Sequence, residues 1–125
     1  MNLVASSVAA PTATGGTIAS GTYLLTAARA HGSNAADGTV LLALGKDTLA
    51  ITATAFEHIT TQSAKDERAS GTLAATGNSL TLTPTCEFPA GAKKQISGPY
   101  TATATGLTVL QVQGTGVIEV VYTKK

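Results

Sequence analysis

The sequence holds a single cysteine, Cys86, no tryptophan, and only five aromatic residues: Tyr23, Phe56, Phe88, Tyr100 and Tyr122. One cysteine excludes an internal disulfide framework and any cysteine-rich zinc site. Two histidines with no third clustered ligand argue against a metal centre, and no cofactor is expected. Charge is also scarce. Charged residues make up 12% of the 125-residue chain, about half the usual share of roughly 25%. Eight basic and seven acidic residues leave a net charge of +1. That balance excludes the basic face of a nucleic-acid partner, and the shortage of aromatic platforms excludes single-strand binding. No apolar run approaches the roughly 18 residues of a membrane-spanning helix. Residues 1–21 also lack the basic start and continuous apolar stretch of a signal peptide.

What the chain has instead is alanine and threonine, 22 of each, with 13 glycines. Alanine favours helices, yet here it alternates with threonine, as in Ala50-Ile51-Thr52-Ala53-Thr54-Ala55 and Thr101-Ala102-Thr103-Ala104-Thr105. A period of two separates the two residue types onto opposite faces of a strand, and β-branched threonine crowds a helix. Small and polar residues over 1–20 read as a flexible leader, followed by one β domain over 21–125. Turn signals recur every eight to twelve residues, the rhythm of a sandwich or barrel. They divide the domain into eight expected strands at 22–31, 38–44, 48–60, 67–76, 79–86, 95–105, 107–113 and 116–123. Gly45-Lys46-Asp47, Gly77-Asn78, Gly106 and Gly114-Thr115-Gly116 are connections short enough only for antiparallel neighbours. The stretch from Gly71 to Leu82 echoes that from Gly98 to Val109, each a glycine, a strand, a Thr-Gly turn and a Leu-Thr restart. A meander of this kind hides its two edges by closing. The expected fold is therefore an all-β, eight-stranded antiparallel up-and-down barrel.

If Tyr23, Leu25 and Ala27, Leu49, Ile51, Ala53 and Ala55, and Tyr100, Ala102 and Ala104 face inward, small side chains leave space in the lumen. A barrel of this size either fills with side chains or holds one small ligand. Continuing the same alternation places Arg29 and Glu57 inward at one mouth, where they form a rim ion pair or fix the polar end of a ligand. The candidate ligand-binding residues are thus Tyr23, Arg29, Ala53, Glu57, Tyr100 and Ala102.

Three segments resemble small lipocalin-like domains of bacterial envelope proteins and lipoproteins, of the myxobacterial type. They are Gly15-Gly16-Thr17-Ile18-Ala19-Ser20-Gly21-Thr22-Tyr23-Leu24-Leu25-Thr26, the hairpin from Gly71-Thr72-Leu73 to Leu80-Thr81-Leu82-Thr83-Pro84-Thr85-Cys86, and Val120-Val121-Tyr122-Thr123-Lys124-Lys125. The resemblance spans residues 15–125. It implies a lipocalin-like, calycin-like barrel, a place in the cell envelope or periplasm or outside the cell, and a floor closed by Tyr23 beneath Lys124. The family's cysteine often has a partner in the first loop; Gly32-Ser33-Asn34-Ala35-Ala36-Asp37 contains none.

The remaining chemistry is thin. His31, Ser33 and Asp37 are near in sequence, which does not make a catalytic triad. Glu57 and His58 are strand neighbours and point to opposite faces. Lys65-Asp66-Glu67-Arg68 reads as a solvated turn, and Lys93-Lys94 with Lys124-Lys125 as a small basic patch. These features point to a non-enzymatic barrel that binds a small apolar or amphipathic ligand. The alternative is a structural or protein-interaction module with a filled barrel, able to form homo-oligomers through its loops or Cys86.

Overall fold

The computed structural model describes residues 1–90 and 96–125. Among these, all regular secondary structure is extended. The strands are β1 (Asn2–Ser6), β2 (Gly21–His31), β3 (Val40–Ala43), β4 (Lys46–Thr52), β5 (Ala55–Gln62), β6 (Lys65–Thr76), β7 (Ser79–Phe88), β8 (Gly98–Ala102), β9 (Gly106–Gln113) and β10 (Gly116–Lys124). β2 and β4 to β10 pair antiparallel in order, and β10 returns to β2. The closing seam runs from Val117 opposite His31 to Lys124 opposite Tyr23. The fold is an eight-stranded closed antiparallel barrel, compatible with a lipocalin-like architecture.

The expected number of barrel strands holds through an exchange. The segment expected as one strand at 48–60 is two, because both Ala–Thr tracts break into turns. Ala53 takes φ 51° between β4 and β5, where its N–H donates to Ser20 Oγ at 3.0 Å. Residues 103–105 form the link between β8 and β9. The segment expected as a barrel strand at 38–44 instead leaves the wall as β3. Of the expected strand 95–105, Gln95 lies outside the described residues, as do Lys93 and Lys94 of the expected basic patch.

Residues 1–20, expected as a flexible leader, supply a strand and a strap. β2 pairs with β4 only over Gly21–Leu24. Beyond that the two part, and β1 fills the gap, parallel to β2 over Leu3–Ser6 and Ala28–His31. β3 pairs with the other side of β1. Residues 13–20 then cross one end of the barrel. Gly15 N–H donates to the Tyr100 carbonyl and its own carbonyl accepts from Ala102 N–H, both at 2.8 Å. Gly16 has φ 112°, and a Cβ there would come within 2.8 Å of the Ala102 carbonyl oxygen, so the strap lies too close for a side chain. This is the closed end. The 63–64 and 114–115 turns mark the open end.

The sequence echo has a structural counterpart. A Cβ on Gly71 would overlap the carbonyl oxygen of Thr83, and one on Gly98 that of Leu110. In both hairpins the glycine meets the carbonyl of the residue twelve positions later, where the wall curves too tightly for a side chain.

Ser63 and Ala64 join β5 to β6 with φ 51° and 63°, the mirror-image turn that matches strand twist. Neither residue type favours that conformation. The double substitution Ser63→Asn, Ala64→Gly is expected to stabilise the protein by about 1–2 kcal/mol, read as a higher midpoint in urea melts with unchanged slope.

Candidate functional site

The closed half of the lumen is packed solid. Tyr23, Ile51, Phe56, Leu80, Tyr100 and Leu107 are buried there. Each such side chain contributes about 1.5–3 kcal/mol relative to exposure. The two tyrosine hydroxyls find backbone acceptors in the strap: Tyr23 donates to the Ala19 carbonyl at 2.6 Å and Tyr100 to that of Gly16 at 2.7 Å. Burial raises the Tyr23 phenol above its ordinary value.

The open half is not filled. A cavity of about 340 Å³ begins below the 63–64 turn and extends beneath β1 and β3. One wall is apolar: Leu3 of β1, Leu25 and Ala28 of β2, Leu42 of β3, Leu44, and Ile118 and Val120 of β10. The facing wall is polar: Asp47 of β4, Thr60 and Gln62 of β5, and Glu67 of β6, with Lys46 at the rim. Tyr122 and Asp47 also line it, and the Asp47 carboxylate gathers polar groups there. Asp47 Oδ1 accepts from His58 Nε2 at 2.6 Å and from the Tyr122 hydroxyl at 3.1 Å. The His58 side chain is completely enclosed. Desolvation, the Asp47 charge and this hydrogen bond push the Tyr122 phenol well above its ordinary value.

That shift has a direct consequence at alkaline pH. Unfolded tyrosines ionise near pH 10, whereas folded Tyr122 keeps its proton. Its contribution to stability is therefore complete below about pH 10 and is lost above it, by about 1.4 kcal/mol per pH unit. Tyr122→Phe is expected to flatten this alkaline slope while costing about 1 kcal/mol at neutral pH for the lost hydrogen bond. Urea melts at pH 8 and pH 11 measure both effects.

The candidate ligand residues separate into four places. Tyr23 and Tyr100 do face the lumen, but in its packed half, with Ala102 partly buried against the same core. Ala53 is an exposed turn residue at the closed end. Arg29 and Glu57 do not meet. The 53–54 turn resets the alternation, so Phe56 and His58 point inward and Glu57 outward, beside Arg68 and Cys86 on the outer surface. On β2 the register slips at Thr26, between the Leu25–Tyr122 and Ala27–Val121 pairs. Ala28 therefore takes the inward place expected of Ala27, and Arg29 faces out, where it pairs with Glu119 at 3.3 Å. Lys124 stands opposite Tyr23 in register. His31, Ser33 and Asp37 bind separate partners: His31 joins Val8 and Glu119, Ser33 Oγ accepts from Ala35 N–H, and Asp37 Oδ1 accepts from Ser7 N–H.

Alternation alone could not reveal Asp47, because Gly45-Lys46-Asp47 has the composition of a turn. The signal for Tyr122 is stronger, since a tyrosine that follows Ile118 and Val120 on an apolar strand face needs a partner for its hydroxyl.

The fold and this cavity define a class: a closed meander barrel, plugged at one end and hollow at the other. No family model, curated protein or solved structure matches the chain. Among the described residues, no helix is long and apolar enough to cross a membrane.

Proposed function

We propose that this protein is a non-enzymatic barrel of the bacterial cell envelope that binds a small amphipathic molecule in the open half of its lumen. The observation carrying this reading is the 340 Å³ cavity with one apolar and one polar wall. A concave space with an apolar wall and a few convergent polar groups is the usual form of a small-molecule site, and here it lies above a tightly packed half that leaves no such room. The apolar body of the ligand lies against Leu25, Leu42 and Ile118, and its polar end meets Thr60 and Gln62. Asp47 already accepts from His58 and Tyr122, which suits a structural acceptor in the wall better than a catalytic base. The envelope location rests on the lipocalin-like resemblance of residues 15–125.

The test is titration with a neutral naphthalene probe whose emission rises in apolar surroundings. Saturable binding at one site supports the reading; a linear, unsaturable response overturns it. A second reading, an interaction module, is favoured by β3, whose Val40, Leu41 and Leu42 are exposed at the free edge of the sheet. Such edges pair readily with other chains. Native mass spectrometry with and without reductant decides it. A dimer that survives reductant assigns the contact to surfaces such as β3, one lost with reductant assigns it to the exposed Cys86, and a strict monomer removes homo-oligomerisation.

A further inference from the structure

The outer face of the barrel seam contains a buried histidine unconnected with the cavity chemistry. His31 ends β2 and is 7% exposed. Its Nδ1 lies 2.7 Å from the carbonyl oxygen of Val8, and its Nε2 lies 2.9 Å from Glu119 Oε1. A carbonyl cannot donate, and neither can a carboxylate. Both contacts are hydrogen bonds at once only when both ring nitrogens carry protons. Glu119 supplies the compensating charge and also accepts from Arg29 at 3.3 Å.

Val8 lies two residues beyond β1. The neighbouring Ser7 N–H donates to Asp37 at 2.9 Å. These two contacts fasten the chain where it leaves the barrel seam, and β1 is the strand that lies between β2 and β3. Leu3 of β1 forms part of the apolar cavity wall. The chain from Asn2 to Thr14 contributes no ionisable side chain. The charged groups facing His31 are therefore Arg29 of β2 and Glu119 of β10, with Asp37 of the following loop one residue away at Ser7. β9 turns the apolar Leu110 toward this face.

We infer that His31 is a pH-sensitive latch on the cavity wall: doubly protonated, it pins the chain where it leaves β1, and on losing a proton it lets that end of β1 fray from the seam. Histidine is the side chain whose charge ordinarily changes between pH 5 and 8. The neutral ring keeps its remaining proton on Nε2, because a bond to a carboxylate is the stronger of the two. The Nδ1 lone pair then faces the Val8 carbonyl lone pairs at short range in a partly buried site, and the chain beyond β1 loses one of its two fastenings, leaving only that of Ser7 to Asp37. The gating role rests on the cavity reading above; the release of β1 does not.

Hydrogen exchange of the wild-type protein, corrected for the intrinsic pH dependence of exchange, measures the release directly. Protection of the peptide covering residues 2–8 is expected to fall about tenfold from pH 5.5 to pH 8, while that of β9 stays constant. In His31→Gln the 2–8 peptide is expected to show the same low protection at both pH values. Constant wild-type protection overturns the latch. Independently of whether the variant folds, ¹⁵N resonances of the wild-type imidazole provide a second measurement. Two protonated ring nitrogens at pH 5.5 support the assignment, and a neutral ring at that pH overturns it. The naphthalene probe should bind with a faster association rate at pH 8. If it does not bind at any pH, the cavity reading falls, and exchange alone judges the latch.

Discussion

Ala28→Trp is expected to weaken probe uptake sharply while leaving the barrel folded. Ala28 is an inward residue of β2, in register with Leu3 on one side and Val120 on the other, and all three line the cavity. An indole there projects into unfilled space. The overpacking cost is at the low end of the usual 1–3 kcal/mol, roughly 1 kcal/mol. The dissociation constant of the naphthalene probe should rise at least about tenfold, a loss of about 1.4 kcal/mol of binding. Glu57→Ala, on the outer surface, should leave it unchanged. Equal affinity in wild type and Ala28→Trp would place the probe elsewhere and sink the lumenal site.

Gly45→Ala is expected to have the largest effect on stability. Gly45 links β3 to β4 at the cavity rim. A Cβ there would overlap the carbonyl oxygen of Thr61 and come within 3.1 Å of Gln62 Cα. Both obstacles are backbone atoms of β5, whose pairing with β4 starts at Lys46 and Thr61. They cannot rotate aside as a side chain would, so the strands must separate where the wall begins. A loss of about 4 kcal/mol or more is expected, visible as a collapse of the urea midpoint; a change below about 1 kcal/mol would show that β3 and β4 accommodate the methyl by moving together.

Residues with distinctive backbone or packing demands were the ones legible in the sequence. Gly77 and Gly114 take φ 61° and 59°, and both marked their turns in advance. Alternation placed Tyr23, Leu49, Ile51 and Tyr100 in the core correctly. The turns at Ala53-Thr54 and Ser63-Ala64 carry no glycine, asparagine or proline, so local chemistry did not announce the first, and the strand expected at 48–60 ran straight through it. One such miss inverts every later side chain on that strand, which is why Glu57 was expected inside and His58 was not. The slip at Thr26 did the same to Arg29. β1 was unreadable for another reason. Its five residues gain order only from partners on both sides, Ala28–His31 and Val40–Ala43, and neither partner is close in sequence. The cavity followed the same logic, since its apolar wall depends on Leu3 and Leu42 meeting across that long separation.

Barrel closure joins the earliest of the eight staves to the latest, with His31 opposite Val117 and Tyr23 opposite Lys124. During synthesis, β2 must wait until β10 has left the ribosome before its second edge is covered. Until then the growing chain is an open curved sheet with an unpaired margin and its future lumen exposed to water. Long-range pairing of this kind slows folding and lengthens exposure to aggregation. The burden of keeping the nascent chain soluble therefore falls on the outward threonines of the incomplete wall and on whatever chaperone meets it.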